Sequence, residues 1–340
     1  MRYKQIPPPH PAPFFELQVK TNLERCVATV LPVFPPPHLM RAIAFYISAM
    51  LLAENAAPHP HVIITCLEKF SRMLPQAGAG RPILHLQGNT LALTFDAFSV
   101  QSEMNVESPD ELTLAYTQTM MGFLLFKRHP AAIGMIGLGG GSLVKFCHRH
   151  LPGAAISVAE IDPQVIALRQ SFLIPDDSER LQVMCMDGAE FVRRAGASLD
   201  VLLVDGFDNN GQPAQLCSQQ FYDDCYASLT PDGLMVVNLL GGNIWETDGY
   251  LNRMRHSFGG AVIAANSPDS FNIIVFAWKD QALSLDRETL SARMPALTML
   301  HPAILKATVQ SLLSGKQAIA RRRAASAQSL PCGQALQHEG

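Results

Sequence analysis

The stretch MIGLGGGSLVKF, Met135 to Phe146, sets four glycines within five positions, between an apolar run and what reads as a helix from Ser142 to His150. An apolar strand, a glycine turn and a helix in that order open many nucleotide-binding α/β domains. Glycines there turn the backbone sharply and let a ligand approach the main chain. As a string, GLGGGS departs from G-x-G-x-x-G at its last place, Ser142, so position rather than spelling carries the reading. A tight turn without a ligand is the competing explanation.

Downstream of the loop, apolar segments alternate with stretches long enough to be crossover helices. Strands are expected at Ala131 to Ile136, Ala155 to Ala159, Leu181 to Met184, Val201 to Val204 and Leu234 to Asn238. That alternation predicts an α/β fold, a Rossmann-like, doubly wound and mostly parallel sheet. NIIVFAW, Asn272 to Trp278, reads as a late strand, followed by helices near Asp286 to Arg293 and Ala303 to Leu313. Upstream, ILHLQGNTLALTFDAFSVQSEM alternates around Gly88-Asn89, a hairpin signal. Pro109 then opens an expected helix, PDELTLAYTQTMMGFLLF, with its acidic residues in the first turn.

These signals divide the chain into four parts. Residues 1–80 are proline-interrupted, with helical patterns near Leu39 to Glu54 and Val62 to Leu74 and no legible role. A small β region covers 81–108, the α/β domain 109–314, and 315–340 has the Ala/Ser/Gln/Arg composition of a disordered tail.

Composition excludes several function classes. Among 340 residues the formal net charge is −3, and the one basic run, Arg321 to Arg323, reads as solvated tail, so no nucleic-acid partner is expected. Seven scattered cysteines with no C-x-x-C pair fit neither a disulfide framework nor a zinc site. The most apolar run, Ala42 to Ala53, is short of the roughly 20 residues that span a bilayer, so no membrane association is expected. The opening residues lack the apolar core of a signal peptide, and a cytoplasmic location is expected.

Acidic residues recur at the ends of the expected strands. Glu160 falls 23 positions after Gly137, close to the spacing at which a carboxylate accepts the ribose hydroxyls of an adenosine. Asp162-Pro163 reads instead as a helix cap. Asp187 and Gly188 follow the third strand, where a carboxylate can accept from an adenine amine, and Asp205 and Asp208 follow the fourth. Asp205 or Asp208 alone could be a turn or cap residue; the series together favours a nucleoside site. His148 and His150 read as surface residues of one helix, and no metal is expected.

The series GLGGGS, AEIDPQVI, MDGAEF and VDGFDNNGQPAQLCSQQFY resembles the spermidine synthase family, polyamine aminopropyltransferases built on the class I S-adenosylmethionine-dependent methyltransferase fold. The resemblance covers roughly Leu86 to Ala277. It implies that Gly137, Gly139, Gly140, Gly141 and Gly188 line the nucleoside site. It further implies that Gln101 holds the aminopropyl or amino-acid end, Glu160 the ribose and Asp187 the adenine, with Asp205 catalytic and Asp208 a second acid. The implied co-substrate is decarboxylated S-adenosylmethionine or S-adenosylmethionine, the partner a diamine or polyamine, and the assembly a homodimer.

The departures bear on the reaction. Where the family has G-G-G-D-G-G, Gly140 stands in place of the aspartate and Ser142 in place of the last glycine. Tyr116 lies two positions beyond the tyrosine of the family's D-E-x-x-Y, and NSPDSFN lacks a tyrosine that the family offers. Aminopropyl transfer is the leading expectation. Methyl transfer to an amine or protein side chain is the alternative, because intact S-adenosylmethionine would be repelled by a further acid in the loop. A non-catalytic nucleoside-binding module is a third reading. A nicotinamide dehydrogenase is disfavoured, because nothing offers a hydride-transfer acid.

Overall fold

The computed structural model describes residues 81–95, 100–207, 212–240, 244–268, 270, 272–279 and 286–328. The two helical patterns expected before residue 80, and Asp208, lie outside the described residues. Residues 84–93 and 102–340 group into one compact unit, and 1–83 with 94–101 into another.

A three-stranded sheet comes first, in the order β1 (Ile83–Gln87), β2 (Thr90–Thr94), β3 (Val100–Asn105). Gly88 has φ +56° in the turn between β1 and β2, where the sequence signalled a hairpin. The expected helix at Pro109 begins later, as α1 (Ala115–Met120), and tightens into a 3₁₀ turn at Met121–Leu125. Local bonds take the intervening groups: Glu111 donates its amide to the Ser108 carbonyl, and the Thr113 hydroxyl donates to the Glu103 carbonyl. Asp110 and Glu111 therefore precede the helix.

The main sheet has seven strands, with α-helices in the crossovers. In chain order they are β4 (Ala132–Ile136), α2 (Ser142–His150), β5 (Ala155–Glu160), α3 (Pro163–Ala167), β6 (Leu181–Cys185), α4 (Gly188–Ala195), β7 (Leu199–Val204), α5 (Gln219–Ser228), β8 (Leu229–Leu240), α6 (Ile244–Ser257), β9 (Val262–Asn266) and β10 (Asn272–Trp278). The spatial order is β6-β5-β4-β7-β8-β10-β9. β10 runs antiparallel to both its neighbours, while β4, β5, β6, β7 and β8 pair parallel. Strand order reverses at β4, whose neighbours are β5 and β7, and such a switch point opens a crevice at the carboxyl ends of the strands.

The apolar runs that announced these strands have both faces covered, as expected for a parallel sheet. Leu202, Val204, Met235 and Val237 join a core with Phe191, Phe221, Tyr222, Met254 and Phe258 from α4, α5, α6 and the turn after α6. Their neighbours Leu203, Val236 and Phe276 are equally buried on the alternate positions. Strand β9 was not foreseen: VIAAN is short, two of its five residues are alanine, and it carries no alternation strong enough to read.

Two helices close the fold, α7 (Arg287–Arg293) and α8 (Pro302–Gln328). α8 runs through Gly315, where the sequence suggested the start of a disordered tail, to Gln328, and residues 329–340 lie outside the described residues. Gly315 is a packing residue there, where a Cβ would lie 2.3 Å from Cγ2 of Ile263 on β9. Among the described residues no helix is long and apolar enough to cross a membrane.

α2 carries a buried cation. Lys145, 4% exposed, donates to the Phe172 carbonyl at 2.8 Å and to Sδ of Met104 at 2.9 Å, and loss of water pushes its pKa down to about 8.

Candidate active site

The crevice is built from the turn that follows each central strand. After β4, Gly137 takes φ +92°, and a Cβ there would lie 2.3 Å from the Asp205 carbonyl oxygen. No other residue type fits that seam. The Gly137 amide donates to the Ala159 carbonyl, and the Asp205 amide donates to the Ile136 carbonyl, so the ends of β4, β5 and β7 are laced together. Gly139 and Gly141 also take positive φ, and Gly141 immediately precedes α2.

Gly140 owes its identity to crowding. A Cβ there would stand 2.7 Å from the Ser102 hydroxyl and 2.8 Å from the Phe172 ring. The position at which the resemblance led one to look for an aspartate thus has no room for a side chain.

Glu160 ends β5 and is 9% exposed. Its Oε2 accepts from the Leu138 amide at 2.8 Å and its Oε1 from the Asp162 amide at 2.9 Å. The carboxylate ties the glycine loop to the β5 turn, and each oxygen keeps a further lone pair for another donor. Asp162 caps α3 as the sequence suggested, accepting from the Gln164 amide at 2.8 Å.

Asp187 and Gly188 each have an architectural role. Asp187 caps α4 through Oδ1, which accepts from the amides of Ala189 and Glu190 at 2.8 and 3.0 Å. Gly188 opens that helix against Ile136, whose Cγ2 would be 2.4 Å from an added Cβ. Gln101 stands in β3, in the other compact unit.

Asp205, just beyond β7, has a polar group on each oxygen. Tyr116 of α1 donates its hydroxyl to Oδ2 at 3.2 Å, and Asn238 of β8 donates Nδ2 to Oδ1 at 2.8 Å. Burial pushes the Asp205 pKa above the ordinary carboxylate value, while the Asn238 and Tyr116 bonds pull it back. Burial, reinforced by the adjacent carboxylate, drives the Tyr116 pKa well up, so the phenol stays a donor. A desolvated carboxylate held in a fixed orientation at a crevice is equipped to accept a proton. Gln212 donates Nε2 to the Asn238 carbonyl at 3.5 Å, and its Oε1 is buried without a hydrogen-bond partner.

The central strand ends bring together the glycine loop, Glu160 and Asp205. Tyr116 and Asn238 join them although sequence reasoning had not assigned either. The signal for Tyr116 was the Asp110-Glu111 pair before it, displaced from the family spacing. Asn238 had none, since its role follows from strand register.

Residues 113–273 match the family model described as Spermine/spermidine synthase domain. A polyamine aminopropyltransferase of Chromobacterium violaceum is 32% identical over 234 residues, which cover 68% of this chain and 89% of that protein. The eEF1A lysine and N-terminal methyltransferase of Bos taurus is 29% identical over 140 residues, 38% of this chain and 20% of that one. Among solved structures, a probable spermidine synthase from Corynebacterium glutamicum superposes with TM-score 0.57 at 18% identity, over 76% of this chain and 95% of that one, a likeness of fold.

Proposed function

The chain belongs to the spermine/spermidine synthase family, and from that premise we propose that it transfers an aminopropyl group from decarboxylated S-adenosylmethionine to a diamine or polyamine. The observation that carries this reading is the Asp205 carboxylate, held between Tyr116 and Asn238 beside the glycine loop. In such a reaction a neutral amine attacks the carbon next to the sulfonium. The new C–N bond forms as the C–S bond breaks, and the sulfur leaves as a neutral thioether with the electron pair. The amine must then lose a proton, and Asp205 is our choice for the group that orients it and takes that proton.

Glu160 is our choice for the ribose hydroxyls, supported by its free lone pairs at the loop. Asp187 keeps Oδ2 for an adenine amine while Oδ1 caps α4. Gln101 and Asp208 keep the roles that the family pattern implies, and Oε1 of Gln212 offers a further acceptor for a substrate N–H.

A second reading is methyl transfer from intact S-adenosylmethionine. The crowding at Gly140 favours it, because the loop then carries no acid to repel the substrate's carboxylate. Calorimetric titration of the purified protein with both nucleosides, followed by mass analysis of an incubated amine panel, separates the two. A mass gain of one aminopropyl group with preference for the decarboxylated form supports the first reading. A mass gain of one methyl group overturns it in favour of the second, and binding of neither nucleoside sinks both.

A further inference from the structure

Asn238 is 2% exposed, and its amide is committed at both ends. Nδ2 donates to Oδ1 of Asp205 at 2.8 Å, and Oδ1 accepts from Nδ2 of Asn272 at 2.9 Å. Strand register builds this chain. In the antiparallel pair Ile274 lies opposite Asn238 and Asn272 opposite Leu240, so Asn272 is the diagonal neighbour of Asn238 on the same face. In the parallel pair Val204 lies opposite Val237, which sets Asp205 beside Asn238 just past the end of β7.

An asparagine can present either its amide nitrogen or its oxygen to a neighbour. Presenting the oxygen to Asp205 would face two acceptors toward each other in a desolvated site, at the cost of a lost hydrogen bond and a repulsion. The carboxylate, which can only accept, calls for the N–H₂ of Asn238, and Asn272 completes the arrangement by donating to the Asn238 oxygen turned away from it.

We propose that Asn272 is a positioning residue for the proton-accepting group: by donating to the buried Asn238 oxygen it pins that amide in place, and so holds the Asn238 N–H₂ on Asp205 and the carboxylate in its reactive orientation. This rests on the reading of Asp205 as the base. Among the described residues, the Tyr116 phenol from α1 and the Asn238 amide from β8 hydrogen-bond to the Asp205 carboxyl, and Gly137 from the loop after β4 packs against its backbone carbonyl. Asn272, from β10, stands one residue removed.

The test replaces the donor at 272 by an acceptor of the same shape, Asn272→Asp, beside Asn272→Ala, each also in an Asn238→Ala background. Two readouts are taken, the acid limb of the kcat/KM pH profile and the titration of the Asp205 carboxyl by ¹³C NMR, assigned with Asp205→Asn. The relay predicts that the Asp205 midpoint rises by about one pH unit in Asn272→Asp and by less in Asn272→Ala, within the range a rearranged hydrogen bond produces. It further predicts that kcat falls while the nucleoside KM stays within about twofold, and that the shift disappears when Asn238 is Ala. An unshifted midpoint in folded Asn272→Ala and Asn272→Asp protein overturns the proposal. So does a shift that persists undiminished without Asn238, which would mark a direct effect of the new charge. If Asn272→Asp does not fold, an unchanged midpoint in Asn272→Ala overturns it. The NMR arm needs no turnover, so a wild-type protein inactive with every donor would refute the functional reading while leaving the relay open to this test.

Discussion

The Tyr116 hydroxyl donates to Oδ2 of Asp205 at 3.2 Å, joining residues 89 positions apart. One belongs to a helix before the first strand of the main sheet, and the other to the turn after its fourth. The bond stabilises the charged carboxylate and leaves the second oxygen to Asn238. Replacing Tyr116 by Phe should therefore lower kcat roughly tenfold and move the acid limb of the rate profile to higher pH, because a donor to the charged form is lost. Steady-state kinetics across pH 5–9 would check this, and an unmoved limb would separate Tyr116 from the group that titrates.

Asp205→Asn should trade activity for stability. Burial raises the carboxyl's pKa, so the folded chain binds that proton more tightly than the unfolded chain. The wild type consequently loses stability as pH climbs from the ordinary carboxylate range through the raised value, and the Asn variant does not. Turnover should fall about 10²–10⁴-fold, with Tm at pH 7 higher by about 2–4 °C. That gap should close as the pH is lowered toward 4. A variant less stable than wild type at pH 7 would refute the argument.

Glu160→Gln leaves an amide where two backbone donors converge on a carboxylate. One of its ends must face an N–H with another N–H, so the loop loses an anchor. Calorimetry should show nucleoside binding weakened about 10–100-fold, with the fold retained by circular dichroism.

Gly140→Asp tests why the loop lacks an acid. The new Cβ would meet the Ser102 hydroxyl and the Phe172 ring, and overpacking of this kind costs about 1–3 kcal/mol. Thermal melts should show the loss, and Phe172→Leu in the same chain should recover part of it. A fully stable single variant would mean that the acid is missing for another reason.

Lys145 gives a pH dependence of opposite sense. Its pKa is lowered to about 8 by burial, so between that value and the ordinary lysine range the unfolded chain binds the extra proton. Wild-type stability relative to Lys145→Met should therefore grow as pH rises from 8 to 10. A difference in Tm that stays flat over this range would contradict it.

The central strands were legible because strands covered on both faces are written as unbroken apolar runs, and AIGMI and VLLV are such runs. Asn272 to Trp278 agrees to the residue. The short edge strand β9 and the extension of α8 were not, since both depend on packing against one another, at Gly315 and Ile263, rather than on local pattern. At the site, the carboxylates at strand ends could be read from spacing alone. Their partners could not. Tyr116 reaches Asp205 only through the tertiary fold, and the Asn238–Asn272 contact exists only because two strands pair in one register out of several. Asp187 shows the reverse limit: the sequence marks it as a strand-end carboxylate for a ligand, and only the structure shows that one of its oxygens caps α4.

The contact between Gly137 and the Asp205 carbonyl has a consequence for how this scaffold can diversify. The glycine turn after β4 and the turn that carries Asp205 share one rigid seam, so a change to either disturbs both. The α1 side is joined to that seam by one phenol bond and the β8 side by one amide. If the chain transfers an aminopropyl group as proposed, variation in acceptor choice is expected to accumulate on those two flanks, where a new side chain can reshape the amine's berth without retuning the donor's.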